Sequence, residues 1–119
     1  MNTGIEIIDT QHKMIEEACE ELKDILINRD KSSYNPNVIL EKLISYYEQH
    51  FKTEDSLLSS IPDRKAAKVH KREHAAFLSN LKSLSEKNIV TVSLILDLQN
   101  WNKNHVKYMD MRDFAMAAV

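Results

Sequence analysis

The sequence predicts an all-α fold, an antiparallel up-down-up-down four-helix bundle, on three observations. One Gly and two Pro in 119 residues leave few places for the chain to turn. Ala, Leu, Ile, Glu and Lys are plentiful, which favours helix. Four stretches repeat apolar residues at three- and four-residue steps, the signature of one buried helix face, and their connections are short. A chain of this length builds one hydrophobic core, so residues 1–119 are expected to form a single domain.

The elements follow in order. Residues 1–8 are a short lead-in, and Asp9 or Thr10 is the expected cap of the first helix. That helix runs to about Asn28 with His12, Ile15, Cys19, Leu22 and Leu26 on its inner stripe. Arg29 to Asn35 is a polar loop. Pro36 suits the first turn of the second helix, with Asn35 as its cap. Ile39, Leu43, Tyr46, His50, Glu54 and Leu57 share one face of it. A turn at Ser59-Ser60-Ile61-Pro62 leads to a third helix opened by Pro62 and Asp63. Its stripe is Ala67, His70, His74, Phe77, Leu81 and Leu84, and it ends near Glu86 to Asn88. The fourth helix starts around Val90 to Ser93, carries Leu94, Leu98, Trp101 and His105 inward, and ends near Phe114 to Ala117.

Charge and cysteine usage narrow the function. The formal charge of -2 and pI of about 6.2 give no footprint for nucleic acid. Arg64, Lys65, Lys68, Lys71 and Arg72 form a local basic cluster, read as a solvated helix face. The longest mostly apolar run, Ile89 to Leu98, is too short to span a bilayer and is broken by Thr91, Ser93 and Asp97, so no membrane insertion is expected. The single cysteine, Cys19, has no internal disulfide partner and lies on an apolar stripe, which fits a packed thiol in a reducing, cytoplasmic setting.

The five histidines carry the chemistry. His50 and Glu54 are four apart, as are His70 and His74, so each pair projects from one helix face. Alternating helix direction brings His12, His50, Glu54, His70, His74, His105 and Asp110 to one end of the bundle. Burying that much polarity without partners would cost several kcal/mol. A metal centre removes the cost, because imidazole nitrogens and carboxylate oxygens become ligands. Five imidazoles and two carboxylates exceed the needs of one tetrahedral zinc. They suit two five- or six-coordinate ions, with Glu54 and Asp110 as bridges. One spacing is irregular. His105 and Asp110 are five apart, about 140° around a regular α-helix. Either the helix loosens there through a π-type turn or Asp110 reaches in from the edge.

Two other readings of the same residues are weaker. His70-Lys71-Arg72-Glu73-His74 matches H-x-x-E-H, the inverted zinc-protease pattern, with Glu73 as general base. It leaves His12, His50 and His105 unexplained, and Glu73, adjacent to inward His74, is expected to point sideways toward solvent. A ferritin-like di-iron site would need Glu-x-x-His motifs and four glutamates, whereas this inner face is histidine-rich.

These residues resemble the hemerythrin family in its bacterial form. The motifs that carry the resemblance are Ile8-Asp9-Thr10-Gln11-His12-Lys13 and His50-Phe51-Lys52-Thr53-Glu54-Asp55. With them go His70-Lys71-Arg72-Glu73-His74-Ala75-Ala76-Phe77 and the run from Trp101 through His105 to Asp110. The resemblance runs from Gly4 to about Phe114 and includes the five-residue step to Asp110. It implies two iron ions joined by an oxo or hydroxo bridge. One iron would take His70, His74 and His105. The other would take His12 and His50 and keep an open position for dioxygen. Glu54 and Asp110 would bridge both, and Ile15, Phe51 and Trp101 would form a dry wall around the oxygen pocket.

The sequence also departs from the family. Asn102 follows the tryptophan where Leu is usual, and a polar amide at the pocket predicts faster autoxidation than in a dedicated carrier. Leu58 stands where Met is frequent, a neutral packing change. The turn before Pro62 and the N-terminal arm are short, which implies a more open pocket end or a domain of a longer sensor protein. The expected function is reversible dioxygen binding for delivery, storage or sensing, with a sensor or redox protein as partner. The alternative is a di-iron redox enzyme acting on peroxide, oxygen or nitric oxide. A metal-free helical interaction module would not explain the clustering of seven ligand-type residues.

Overall fold

The computed structural model describes residues 3–28, 36–87 and 90–117. Its helices are α1 (Glu6–Ile27), α2 (Pro36–Leu58), α3 (Arg64–Glu86), α4 (Val92–His105) and α5 (Met111–Ala117). A π-helical turn over Val106–Asp110 joins α4 and α5 into one rod, the fourth member of the bundle. The Arg29 to Asn35 loop, with the expected Asn35 cap, and the Asn88 limit of the third helix lie outside the described residues. Cross-helix pairs fix the antiparallel order. Gln11 meets Thr53, Glu48 meets Lys82, and Glu20 meets Gln99. The four-helix bundle is thus the fold that the apolar periodicity predicts.

The helix ends set the register of the inner faces. α1 begins at Glu6 rather than at the Asp9 or Thr10 cap, with Ile5 as an extended N-cap that makes no side-chain bond. Asp9 lies inside the first turn and reaches backward instead. Its Oδ1 accepts from Thr3 N and Thr3 Oγ1, each at 2.8 Å, and its Oδ2 accepts from Gly4 N at 3.3 Å. An anion in the first turn also suits the helix dipole. Gly4 has φ +86°, a backbone conformation that favours glycine. The α2–α3 turn is closed by Arg64, whose Nη1 donates to the carbonyls of Leu58, Ser59 and Ile61 at 3.2, 2.9 and 3.4 Å. Lys71 Nζ donates to Ser59 Oγ at 2.8 Å. Part of the basic cluster therefore has a structural task, while Lys65, Lys68 and Arg72 are exposed as expected. Asp63 caps α3 by accepting from Ala66 N, and Thr91 caps α4 by accepting from Leu94 N.

The buried stripe of α1 is the one its periodicity predicts. On α2 Ile39, Leu43, His50 and Glu54 are buried as expected, as are Leu98 and His105 on α4, but at the other expected positions the more buried residue is the next one along. Tyr47 is fully buried while Tyr46 is half-buried with Lys42 over its ring, and Leu58 is buried in place of Leu57. Ile95 is more buried than Leu94, and Asn102 more than Trp101. Both stripes keep three- and four-residue steps, so periodicity alone cannot separate them. What decides is that α2 packs against both α1 and α3, which pulls the central line of its face toward Tyr47.

Two apolar clusters result. The larger includes Ile15, Leu22, Leu43, Tyr47, Phe51 and Ile95. The smaller comprises Ile8, Leu58, Ile61, Ala67 and Phe114. Along the helices His12 falls between Ile8 and Ile15, Glu54 between Phe51 and Leu58, and Asp110 between Val106 and Phe114. A polar layer is thereby enclosed between two hydrophobic ones, each buried large side chain contributing roughly 1.5–3 kcal/mol. Cys19 is buried in the larger cluster; burial, then Glu20 and Glu16, push its thiol up to about 12, against nucleophilic or redox reactivity at neutral pH.

Candidate metal centre

The polar layer contains every ligand-type residue that the sequence picks out. His12, His50, Glu54, His70, His74, His105 and Asp110 are all at most 4% exposed. Ligand atoms of Glu54, His70, His74, His105 and Asp110 lie within 4.8 Å of one another, as do those of His12, His50, Glu54 and Asp110. The two groups share both carboxylates. The π-turn is what admits Asp110. A main-chain bond from Met111 N to Val106 O, five residues back, widens the turn, so His105 and Asp110 both face inward despite their five-residue spacing.

Each carboxylate divides its oxygens between the two groups. Glu54 Oε2 is 3.3 Å from His50 Nε2 and 3.5 Å from His12 Nε2, while Oε1 is 3.1 Å from His74 Nε2. Asp110 Oδ2 is 2.9 Å from His12 Nε2, while Oδ1 is 2.7 Å from His70 Nε2 and 3.0 Å from His105 Nε2. His105 Nε2 is also 3.1 Å from His70 Nε2 and 3.0 Å from His74 Nε2.

An outer ring of hydrogen bonds orients the imidazoles. His70 Nδ1 donates to Asp113 at 2.8 Å, His74 Nδ1 to Asp55 at 2.7 Å, and His105 Nδ1 to Glu73 at 2.7 Å. His50 Nδ1 donates to Gln11 Oε1 at 2.9 Å, and Gln11 is held in turn by its Nε2 donating to Thr53 Oγ1 at 3.2 Å. His12 Nδ1 is buried with no partner among the described residues. Glu73 does point sideways and stays partly exposed, but it also reaches across from α3 to a histidine of α4, which the sequence reading missed. As a partner of His105 it is not placed as the base of a zinc protease.

The donor set fits metal ions. With the outer nitrogens protonated, the Nε2 lone pairs converge on one another and on two carboxylates. Glu54 Oε1 and Oε2 and Asp110 Oδ1 lack hydrogen bonds of good geometry, though all are buried. Such a gathering of lone pairs is repulsive unless cations sit among them. The spacing is also that of ligands: two nitrogens at right angles, each about 2.1 Å from an ion, are about 3.0 Å apart. Without an ion, protons take its place. Burial is the largest single influence on each group and opposes charge. It is outweighed for His12, which Asp110 and Glu54 together raise to about 9, and for His74, raised to about 9 by Asp55 and Glu54. His105 is raised in the same way by Asp110 and Glu73. Burial pushes Glu54 up, but His12, His50 and His74 together bring it down to about 2. Asp110 is held well below the usual carboxylate range by His105, His12 and His70 against the same effect of burial.

The surroundings are mostly aromatic. Phe51 stacks on His74 with centroids 4.1 Å apart, and Trp101 stacks on His105 at 4.6 Å. Phe77 backs Trp101 at 3.8 Å. Ile15 is fully buried in the same cluster. Asn102 is different. It is 7% exposed, its amide has no protein hydrogen-bond partner among the described residues, and it lines a cleft of about 390 Å³ with Glu16, Cys19, Glu20, Gln99, Lys103 and Val106. This cleft runs between α1 and α4.

Comparison with known proteins gives a consistent result. Residues 3–117 match the family described as Hemerythrin HHE cation binding domain. A bacteriohemerythrin of Pseudomonas aeruginosa (strain LESB58) is 31% identical over 78 residues, 66% of this chain and 49% of the relative. A bacteriohemerythrin of Pseudomonas paraeruginosa (strain DSM 24068 / PA7) shows the same identity and coverage. The chain thus spans about half the length of the curated relatives it matches. No solved structure matches it.

Proposed function

The chain belongs to the hemerythrin family, and we propose that it binds dioxygen reversibly at a pair of non-haem iron ions, for oxygen delivery, storage or sensing. The observation that carries this reading is the division of the Glu54 and Asp110 oxygens between two histidine groups of unequal size. His70, His74 and His105 would hold one iron, His12 and His50 the other, and the two carboxylates would bridge them together with an oxo or hydroxo group. Such a pair of ions, when bound, supplies two electrons that dioxygen can accept and return.

The chain's own residues explain why the exchange would be reversible. One group offers three nitrogens and two oxygens, the other two nitrogens and two oxygens, so the His12/His50 side has room for a small molecule. Ile15, Phe51 and Trp101 wall the layer with apolar surface and keep bulk water from protonating a bound anion. The Leu58 and Phe114 cluster closes the other side. The outer partners hold the imidazoles in one tautomer, so the ligands need not reorganise as charge moves. Cytoplasmic placement, where Cys19 stays reduced, and a sensor or redox partner protein belong to the same proposal.

One observation favours a second reading. Asn102, next in sequence to the wall residue Trp101, lines a cleft between α1 and α4, which would suit a redox enzyme acting on peroxide, oxygen or nitric oxide. A single spectroscopic experiment separates the two. Iron-loaded, reduced protein is exposed to oxygen and then purged with nitrogen. A charge-transfer band that rises and falls over repeated cycles supports oxygen binding. A band that never reverses, with steady turnover when peroxide and a reductant are added, supports the enzyme and sinks the carrier reading.

A further inference from the structure

The outer ring of hydrogen bonds is lopsided. All three histidines of the larger group give their outer proton to a carboxylate, Asp113, Asp55 or Glu73, at 2.7–2.8 Å. In the smaller group His50 gives its proton to the neutral amide of Gln11, and His12 Nδ1 has no partner among the described residues. We propose that this ring makes the two metal positions unequal: Asp55, Glu73 and Asp113 strengthen the His70/His74/His105 position so that it fills first, and Gln11 leaves the His12/His50 position weaker and more readily exchanged. The inference rests on the two-ion reading above.

The physical basis is the basicity of the ligand. A carboxylate that accepts the Nδ1 proton raises electron density at Nε2 and adds a negative charge near the cation, whereas an amide oxygen adds only a dipole. The three carboxylates do not contribute equally. The Asp113 side chain is fully buried and is held by Arg112, whose Nε donates to Oδ1 at 2.8 Å. The Asp55 and Glu73 side chains are 39% and 35% exposed, so solvent screens part of their effect. All three are positioning residues, acting through the histidines they orient. The weaker position is also the one with fewer protein ligands, so both effects favour exchange on the side proposed to meet dioxygen.

The test is a calorimetric titration of the metal-free full chain with Co²⁺, alongside the visible spectrum of the bound ion. Two binding steps are expected, separated by at least about tenfold in affinity. Glu73→Gln is expected to weaken the first step by about tenfold, drawing it toward the second, and leave the second in place. Gln11→Glu, which puts an anion on the weak side, is expected to strengthen the second step by about tenfold. Circular dichroism checks that both variants fold. A merely structural role for Glu73 would lower both steps together. Two equal steps in the unaltered chain, a joint loss in Glu73→Gln, or no gain in Gln11→Glu would each overturn the inequality while the two-ion reading stands. Binding of a single ion would overturn that reading and the inference with it.

Discussion

Replacing Asn102 by Leu tests whether a polar side chain beside Trp101 limits the life of an oxygenated state. Asn102 is 7% exposed and has no protein hydrogen-bond partner among the described residues, so its amide depends on what fills the cleft of about 390 Å³ between α1 and α4. Leu has the same branched side-chain shape as Asn, is somewhat larger, and removes the amide. The amide opens on the cleft, where water can satisfy it, so the variant should keep its stability to within about 1 kcal/mol. An apolar wall at this position should also make approach of water, and loss of a protonated anion, harder. If one hydrogen bond of about 1.4 kcal/mol is lost from that route, autoxidation slows about tenfold. The assay follows decay of the oxygen-dependent band at fixed temperature, with urea unfolding of the metal-free variant as control. Unchanged or faster autoxidation in a variant of unchanged stability would refute this, because it would place Asn102 off the route of water.

Other perturbations reach different parts of the molecule. Glu54→Ala removes oxygens that face His12, His50 and His74 together, and should lose at least one metal per chain; a variant with full metal content and an unaltered spectrum would contradict the bridging role. Phe114→Ala opens a cavity beneath His70 in the smaller cluster and should destabilise the fold by about 3–5 kcal/mol in denaturant unfolding, and a loss below about 1 kcal/mol would show that this cluster does not seal the layer. The metal-free chain should show a pH optimum. His12 and His74, raised from 6.5 to about 9, give stability that is complete below pH 6.5 and fades as pH rises through 9. Glu54, lowered from 4.5 to about 2, gives stability that is complete above pH 4.5 and fades as pH falls toward 2. Thermal unfolding of metal-free protein should therefore peak between these limits, and a profile flat from pH 5 to 9 would contradict the pairing.

The sequence discloses the ligands better than their supports. His12, His50, His70, His74 and His105 interrupt apolar stripes, so helical periodicity alone points them inward. Asp110 is legible because its five-residue step from His105 demands either a π-turn or an edge approach, and the chain adopts the π-turn. Tyr47 and Ile95 are not legible over Tyr46 and Leu94, since both choices satisfy the same period and only packing against two neighbouring helices decides. The outer partners were hidden for another reason. Gln11, Asp55 and Glu73 are sequence neighbours of His12, Glu54 and His74, and a neighbour points about 100° away on the same helix. That direction leads to the adjacent helix, where each meets a histidine from a different stretch of chain: His50, His74 and His105. A polar residue flanking an inward ligand is the signal that could have found them. Glu73 shows the error of reading such a residue only from its own helix.

Seven side chains are proposed to form one site for two ions. The most direct test is the iron content of the folded chain after anaerobic reconstitution with ferrous ion and gel filtration. Two irons per chain are expected. A reproducible ratio of one or less, with the protein folded and the histidines unmodified, would contradict it.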